Sequence, residues 1–148
     1  NMKSFMNYAI DEAKKSLALD EVPIGAVIVK DNKIIARGHN LREKKKNALM
    51  HAEIIAINKA CKKLGDWRLE GCEIYVTLEP CPMCAGAILN ARIEKIIYGA
   101  KDKTSSDGVF EKILTSTRLN HNCDFCQNEQ YQEKCAQLLT EFFKKKRK

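Results

Sequence analysis

The stretch CEIYVTLEPCPMCAGAILNARIEKIIYGA, residues 72–100, decides the architecture. Cys72, Ile74, Val76 and Leu78 alternate with Glu73, Tyr75 and Thr77, the period of a half-buried strand. A helix follows, from Pro82 to Ala91. Proline suits its first turn, where a backbone N–H has no intrahelical partner to lose. KIIYGA, residues 95–100, is a second strand. A strand–helix–strand step needs a crossover, and crossovers favour parallel neighbours.

Working outward, PIGAVIVKDNKIIARGHN, residues 23–40, places two β-rich runs on either side of Asp31-Asn32, which predicts a hairpin with a tight turn. Ahead of it, Phe5, Ala9, Ala13 and Leu17 recur every fourth residue and mark one face of a helix. Between hairpin and strand, Ile54, Ile57, Cys61 and Leu64 mark a second helical face, closed by Gly65 as a C-cap. Beyond residue 100 come a polar loop, KDKTSSDG at 101–108, a short helix, VFEKILTS at 109–116, and a short edge strand, CDFC at 123–126. A terminal helix runs from Glu129 to about Lys145, with Tyr131, Cys135, Leu138, Leu139 and Phe142 on or near one face. The expected fold class is α/β, a three-layer α/β/α sandwich with a mixed sheet.

At 148 residues and 45% hydrophobic content, the chain fits one domain spanning residues 1–148. Asn1, ahead of Met2, is expected to be a leftover of expression. The first twenty residues hold no continuous apolar segment of the secretory kind, and no apolar run approaches a membrane span. Seven cysteines without a secretory signal point to a reducing cytoplasm, where thiols serve as ligands, catalysts or core residues. The net charge is +7, with REKKK at 42–46 and an entirely basic tail at 144–148. One such run is as often a solvated surface as a binding site; two on a small chain point to a polyanionic partner.

The Cys81–Cys84 pair admits three readings. A redox dithiol also sits between strand and helix, where the helix end favours a thiolate. That reading leaves the nearby histidine and glutamate idle. Four thiolates, with Cys123 and Cys126, would close a structural zinc site. The two pairs are too far apart for a compact zinc ribbon, which spaces them about 15–20 residues, and Cys123 and Cys126 are expected to be a buried strand-end pair without a ligand role. The third reading adds His51. MHAEIIAI at 50–57 places His51 and Glu53 at a helix start, and EPCPMC at 79–84 opens the next helix. Two helix N-termini can then face one point. Three protein ligands with an open fourth position is the pattern of catalytic zinc. Glu53 need not ligate the same ion and is free to move protons to and from a water beside it. One nitrogen and two thiolates favour zinc over other metals.

His-x-Glu followed by Pro-Cys-x-x-Cys resembles the signature of the zinc-dependent cytidine/deoxycytidylate deaminase superfamily. Within it, VPIGAVIV, GHN, HAEI, YVTLEPCPMCAGAI, ARIEKIIYGAKD, LNH, KCAQLL and EFFKKKR resemble the bacterial tRNA-specific adenosine deaminases along nearly the whole chain. Ala48-Leu49-Met50, Lys44–Lys46 and NCDFCQNEQ at 122–130 depart from that pattern.

The resemblance implies a cytidine deaminase-like sandwich with a mostly five-stranded sheet. It implies one Zn2+ per subunit on His51, Cys81 and Cys84, with Glu53 as the catalytic proton carrier. It places Asn40, Ala52, Pro80 and Asp102 at the substrate, together with Asn120, His121, Phe142, Phe143 and Lys144. The implied reaction is hydrolytic deamination of adenosine to inosine at the wobble position of an anticodon loop, in an arginine tRNA. The implied assembly is a cytoplasmic homodimer, without membrane attachment. The rival readings are a free-base or nucleoside deaminase acting on guanine, cytosine or cytidine, and a catalytically silent RNA-binding subunit.

Overall fold

The computed structural model describes residues 4–102, 109–116 and 121–146. The chain runs α1 (Phe5–Ala18), β1 (Gly25–Lys30), β2 (Lys33–His39), α2 (Ala52–Leu64), β3 (Cys72–Leu78), α3 (Pro82–Asn90), β4 (Lys95–Ala100), α4 (Val109–Thr115), β5 (Asp124–Gln127) and α5 (Gln132–Lys146). Local chemistry sets most of these boundaries. The Ser4 hydroxyl accepts from Met6 N–H and caps α1. Asp31 and Asn32 both take positive φ (50° and 62°), the conformation a two-residue hairpin turn demands. Gly65 ends α2 in the left-handed region at φ 67°. Pro82 is the first residue of α3.

The sheet has five strands in the order β2-β1-β3-β4-β5. β1 is antiparallel to both β2 and β3, while β3–β4 and β4–β5 are parallel. This is the expected mixed sheet, with the VFEKILTS helix and the CDFC edge strand in place. α2, α3 and α4 cover one face, with Ile28, Ile74, Val76 and Ile96 of the sheet beneath them. α1 and α5 cover the other through Met6, Ala9, Ile10, Ile97 and Cys135.

Two expectations change. The buried stripe of α2 is Ala52, Glu53, Ala56, Ile57 and Ala60; Ile54, Cys61 and Leu64 are only half-buried. The reason is how closely the helix lies on the sheet. A Cβ on Gly38 would stand 2.3 Å from the Ala52 carbonyl oxygen, so only small side chains fit between α2 and β2. Cys123 and Cys126 are not a buried pair: Cys123 is buried and Cys126 exposed. They are three apart along extended chain, which turns them to opposite faces. Lys144–Lys146 form the last turn of α5, in line with the terminal helix expected to about Lys145.

Candidate active site

The C-terminal end of β3 and the first turns of α2 and α3 meet at one place. His51 is the N-cap of α2 and Cys81 the N-cap of α3, and neither side chain spends itself on capping. Cys84 lies one turn into α3 and is fully buried. His51 Nδ1 stands 3.7 Å from Cys81 Sγ and 3.6 Å from Cys84 Sγ. All three donor atoms fall within 4.8 Å of one another, and this is the sole such cluster among the described residues. A tetrahedral zinc with bonds of about 2.3 Å to sulfur and about 2.0 Å to nitrogen requires N···S edges of about 3.5 Å. The residues therefore fit a metal ion without rearrangement.

The electrostatics agree. A hydrogen bond from the Cys84 thiol, with help from His51, pulls Cys81 down to about 4. Cys84 is driven the opposite way by Cys81 and by burial. The pair thus favours a thiolate at Cys81, and a cation held between the two sulfurs would displace the second proton. Glu53, in the first turn of α2, is 3% exposed. Burial pushes its carboxyl up to about 7. A carboxyl that is neither firmly ionised nor firmly protonated at neutral pH suits proton transfer in both directions.

Asn40 follows β2 and is buried. With Val22, Ile24, Arg42, His51, Ala52 and Glu53 it lines a cavity of about 70 Å³. Its amide donates to Val22 O (3.2 Å) and accepts from Arg42 N–H (3.1 Å), so it braces the loop while keeping one N–H and one lone pair. Ala52 is the first residue of α2, and Pro80 is buried just ahead of Cys81. The Asp102 N–H donates to Glu79 Oε1 at 2.5 Å. Glu79 was not singled out by the sequence, although it sits within the EPC motif itself. Its carboxylate ties the Asp102 turn to the segment carrying Cys81.

His121 is elsewhere. Its Nε2–H donates to Ile93 O (2.9 Å), just before β4, whereas Asp102 lies beyond the other end of that strand. Asn120 lies outside the described residues. Phe142 is buried, Phe143 is 46% exposed, and Lys144 is exposed beside them.

The two basic clusters, distant in sequence, share a groove of about 620 Å³. Arg42 and Lys44 line it together with Phe142, Phe143 and Lys146 of α5 and with Leu19 and Asp20. Lys146 Nζ reaches Asp20 at 2.5 Å. Arg42 belongs to both the groove and the small cavity beside Glu53.

The chain is similar to known proteins over most of its length. The family described as MafB19-like deaminase matches residues 1–147. The tRNA-specific adenosine deaminase of Bacillus subtilis (strain 168) is 48% identical over 145 residues, covering 97% of this chain and 89% of that protein. A solved tRNA:A34 deaminase, studied for A-to-I editing at the wobble position of transfer RNA, superposes with a TM-score of 0.84 at 40% identity, over 91% of this chain and 98% of that one. A guanine deaminase from Bacillus subtilis superposes with a TM-score of 0.66, also at 40% identity, over 74% of this chain and 71% of that one.

Proposed function

Because the chain belongs to the family of tRNA-specific adenosine deaminases, we propose that it hydrolyses the wobble adenosine of a tRNA anticodon loop to inosine and ammonia. The observation that carries this reading is the His51–Cys81–Cys84 triangle with buried Glu53 beside it. The three side chains would hold one Zn2+ per subunit. When bound, zinc supplies Lewis acidity that makes water a competent nucleophile at neutral pH.

The chain's own residues do the rest. Water adds to C6 of the adenine, and Glu53 takes its proton. Glu53 passes that proton to N1. It then takes the remaining proton of the hydroxyl now on C6 and delivers it to the amino group, so that the C6 carbonyl forms as the C6–N bond breaks and ammonia leaves. Asn40, at the cavity wall, offers its remaining N–H and lone pair to the base or ribose. The N–H groups of the first helical turns, near Ala52 and after Pro80, favour developing negative charge.

An adenine stacked in a duplex cannot reach a recessed carboxylate; one splayed from a loop can. The groove supports that substrate. Arg42, Lys44 and Lys146 suit phosphates, and Phe143 offers a stacking face. Arginine tRNA is the expected source of the loop.

The exposed Trp67 and the half-buried Ile54 and Cys61 line a second groove of about 500 Å³ between α2 and α3. Such a patch supports a homodimer seated there. All seven cysteines are free, which agrees with a cytoplasmic setting, and among the described residues no helix is long and apolar enough to cross a membrane.

The test is product identification. Zinc-loaded protein is incubated separately with tRNA, adenosine, guanine and cytidine. Inosine formed in tRNA alone is expected. Xanthine or uridine as the product would replace this reading with a free-base or nucleoside deaminase, and no product from any of the four would favour the silent subunit.

A further inference from the structure

Glu21 is 1% exposed, yet it belongs to no part of the chemistry above. Its Oε2 accepts from Lys44 N–H at 2.6 Å and its Oε1 from Glu43 N–H at 3.1 Å. The N–H before these, of Arg42, is taken by the Asn40 side chain. Residues 41–47 form a tight helical turn: Lys45 N–H reaches Leu41 O and Asn47 N–H reaches Arg42 O. The first N–H groups of such a turn have no internal acceptors. Here two buried side chains supply them. The Ser16 hydroxyl donates to the Asn40 backbone carbonyl at 2.8 Å, so the anchor extends into α1.

This turn carries the cations of the RNA groove, and Arg42 stands between that groove and the Glu53 cavity. Four charged side chains crowd residues 42–45. Left to itself, so short a turn has no reason to persist in water, since helix nucleation is unfavourable. A buried carboxylate with two N–H donors is what holds it.

We propose that Glu21 is a positioning residue for substrate: its carboxylate fixes the Arg42–Lys46 turn, so that Arg42 and Lys44 meet RNA phosphates in a prearranged geometry. This rests on the RNA-substrate reading of the groove. Glu21 touches neither substrate nor metal ligands, so it should govern KM and leave kcat alone.

The test compares wild type with Glu21→Gln on a tRNA anticodon stem-loop. The amide keeps one acceptor but presents an NH2 to the second backbone N–H, which unfastens the turn. If the ordered population falls to about a tenth, KM rises about tenfold at constant kcat. The salt slope of RNA binding should become shallower by about one to two, as one or two phosphate contacts are lost. In an Arg42→Ala/Lys44→Ala background, Glu21→Gln should change KM no further. A full additional KM increase in that background would overturn the proposal, as would a loss of kcat and zinc with KM unchanged.

If Glu21→Gln does not fold, hydrogen exchange on the wild type decides. Glu43 and Lys44 amides should exchange well below the rate of free chain. Exchange of those two amides at the rate of free chain would refute the clamp. A wild type that fails to deaminate tRNA at all would sink the functional reading instead, and the exchange result would still report on the clamp.

Discussion

Gly38→Ala should damage the active site although residue 38 lies on an outer strand. A Cβ there would stand 2.3 Å from Ala52 O and 2.8 Å from Ala56 N, both backbone atoms of α2. No side-chain rotation can relieve such contacts. Restoring an ordinary separation of about 3.4 Å requires the N-terminal turn of α2 to lift by about 1 Å. Overpacking of this kind costs about 1–3 kcal/mol.

The functional cost follows from geometry. His51 rides on the end that must move, and its edges to Cys81 and Cys84 are 3.7 and 3.6 Å. Adding about 1 Å takes them past the roughly 4.3 Å at which one zinc can still touch both nitrogen and sulfur. Zinc affinity should fall by about tenfold or more. Urea denaturation, metal competition with a chelating dye, and turnover on tRNA measure the three consequences. Gly86→Ala is the control: its Cβ meets nothing within 4 Å, in the middle of α3. It should gain about 0.5–1 kcal/mol from the lower entropy of the unfolded chain. If Gly38→Ala matched wild type within about 0.5 kcal/mol, the scatter of ordinary surface changes, and kept its zinc, the close-approach argument would be wrong.

Glu53→Gln should retain the metal and lose about 10²–10⁴ in kcat, the worth of a proton carrier; normal turnover in a zinc-replete variant would remove Glu53 from the mechanism. Chelation should free the half-buried Cys81 for a thiol reagent, while Cys126 reacts with or without metal and the buried Cys84, Cys123 and Cys135 stay silent, the last two pushed up to about 12 by burial. An unchanged thiol count after chelation would contradict the ligand set. Burial raises the Glu12 carboxyl, but hydrogen bonds from Lys15 and His39 outweigh it and leave the pKa below the ordinary 4.5. That depression stabilises the fold above pH 4.5, and the contribution is lost as pH falls through the lower folded value. Urea midpoints measured on acidification should therefore drop more steeply for wild type than for Glu12→Gln; parallel curves would deny Glu12 this role. RNA binding should weaken steeply between 50 and 200 mM salt, by about tenfold or more for a few phosphate contacts, and a flat response would count against a polyanionic substrate.

Much of this protein is written in short-range terms. The Asp31-Asn32 turn, the Gly65 cap and the Pro82 helix start each depend on the dihedral preferences of one or two residues, and such preferences are readable without a partner. The metal triangle was legible for a related reason. His51, Cys81 and Cys84 stand at helix starts flanking one strand, so their convergence follows once the elements are named.

What only tertiary structure decided depends on distance between segments. The sequence points to Ile54, Ile57, Cys61 and Leu64 as the inward face of α2, but the near-contact with Gly38 admits alanines there and turns part of the isoleucine stripe outward. Nothing local distinguishes buried Glu21 from a solvated acid in a turn; its burial exists because the 41–47 turn folds over it and donates two N–H groups. The basic runs at 42–46 and 144–146 become one groove only when α5 crosses the sheet beside the end of α1. Hydrogen-bond and dihedral chemistry acts over a few residues, so the sequence alone determined the elements and the candidate ligands. Packing acts between segments with no memory of their separation along the chain, so the tertiary fold alone chose which faces, charges and carboxylates would meet.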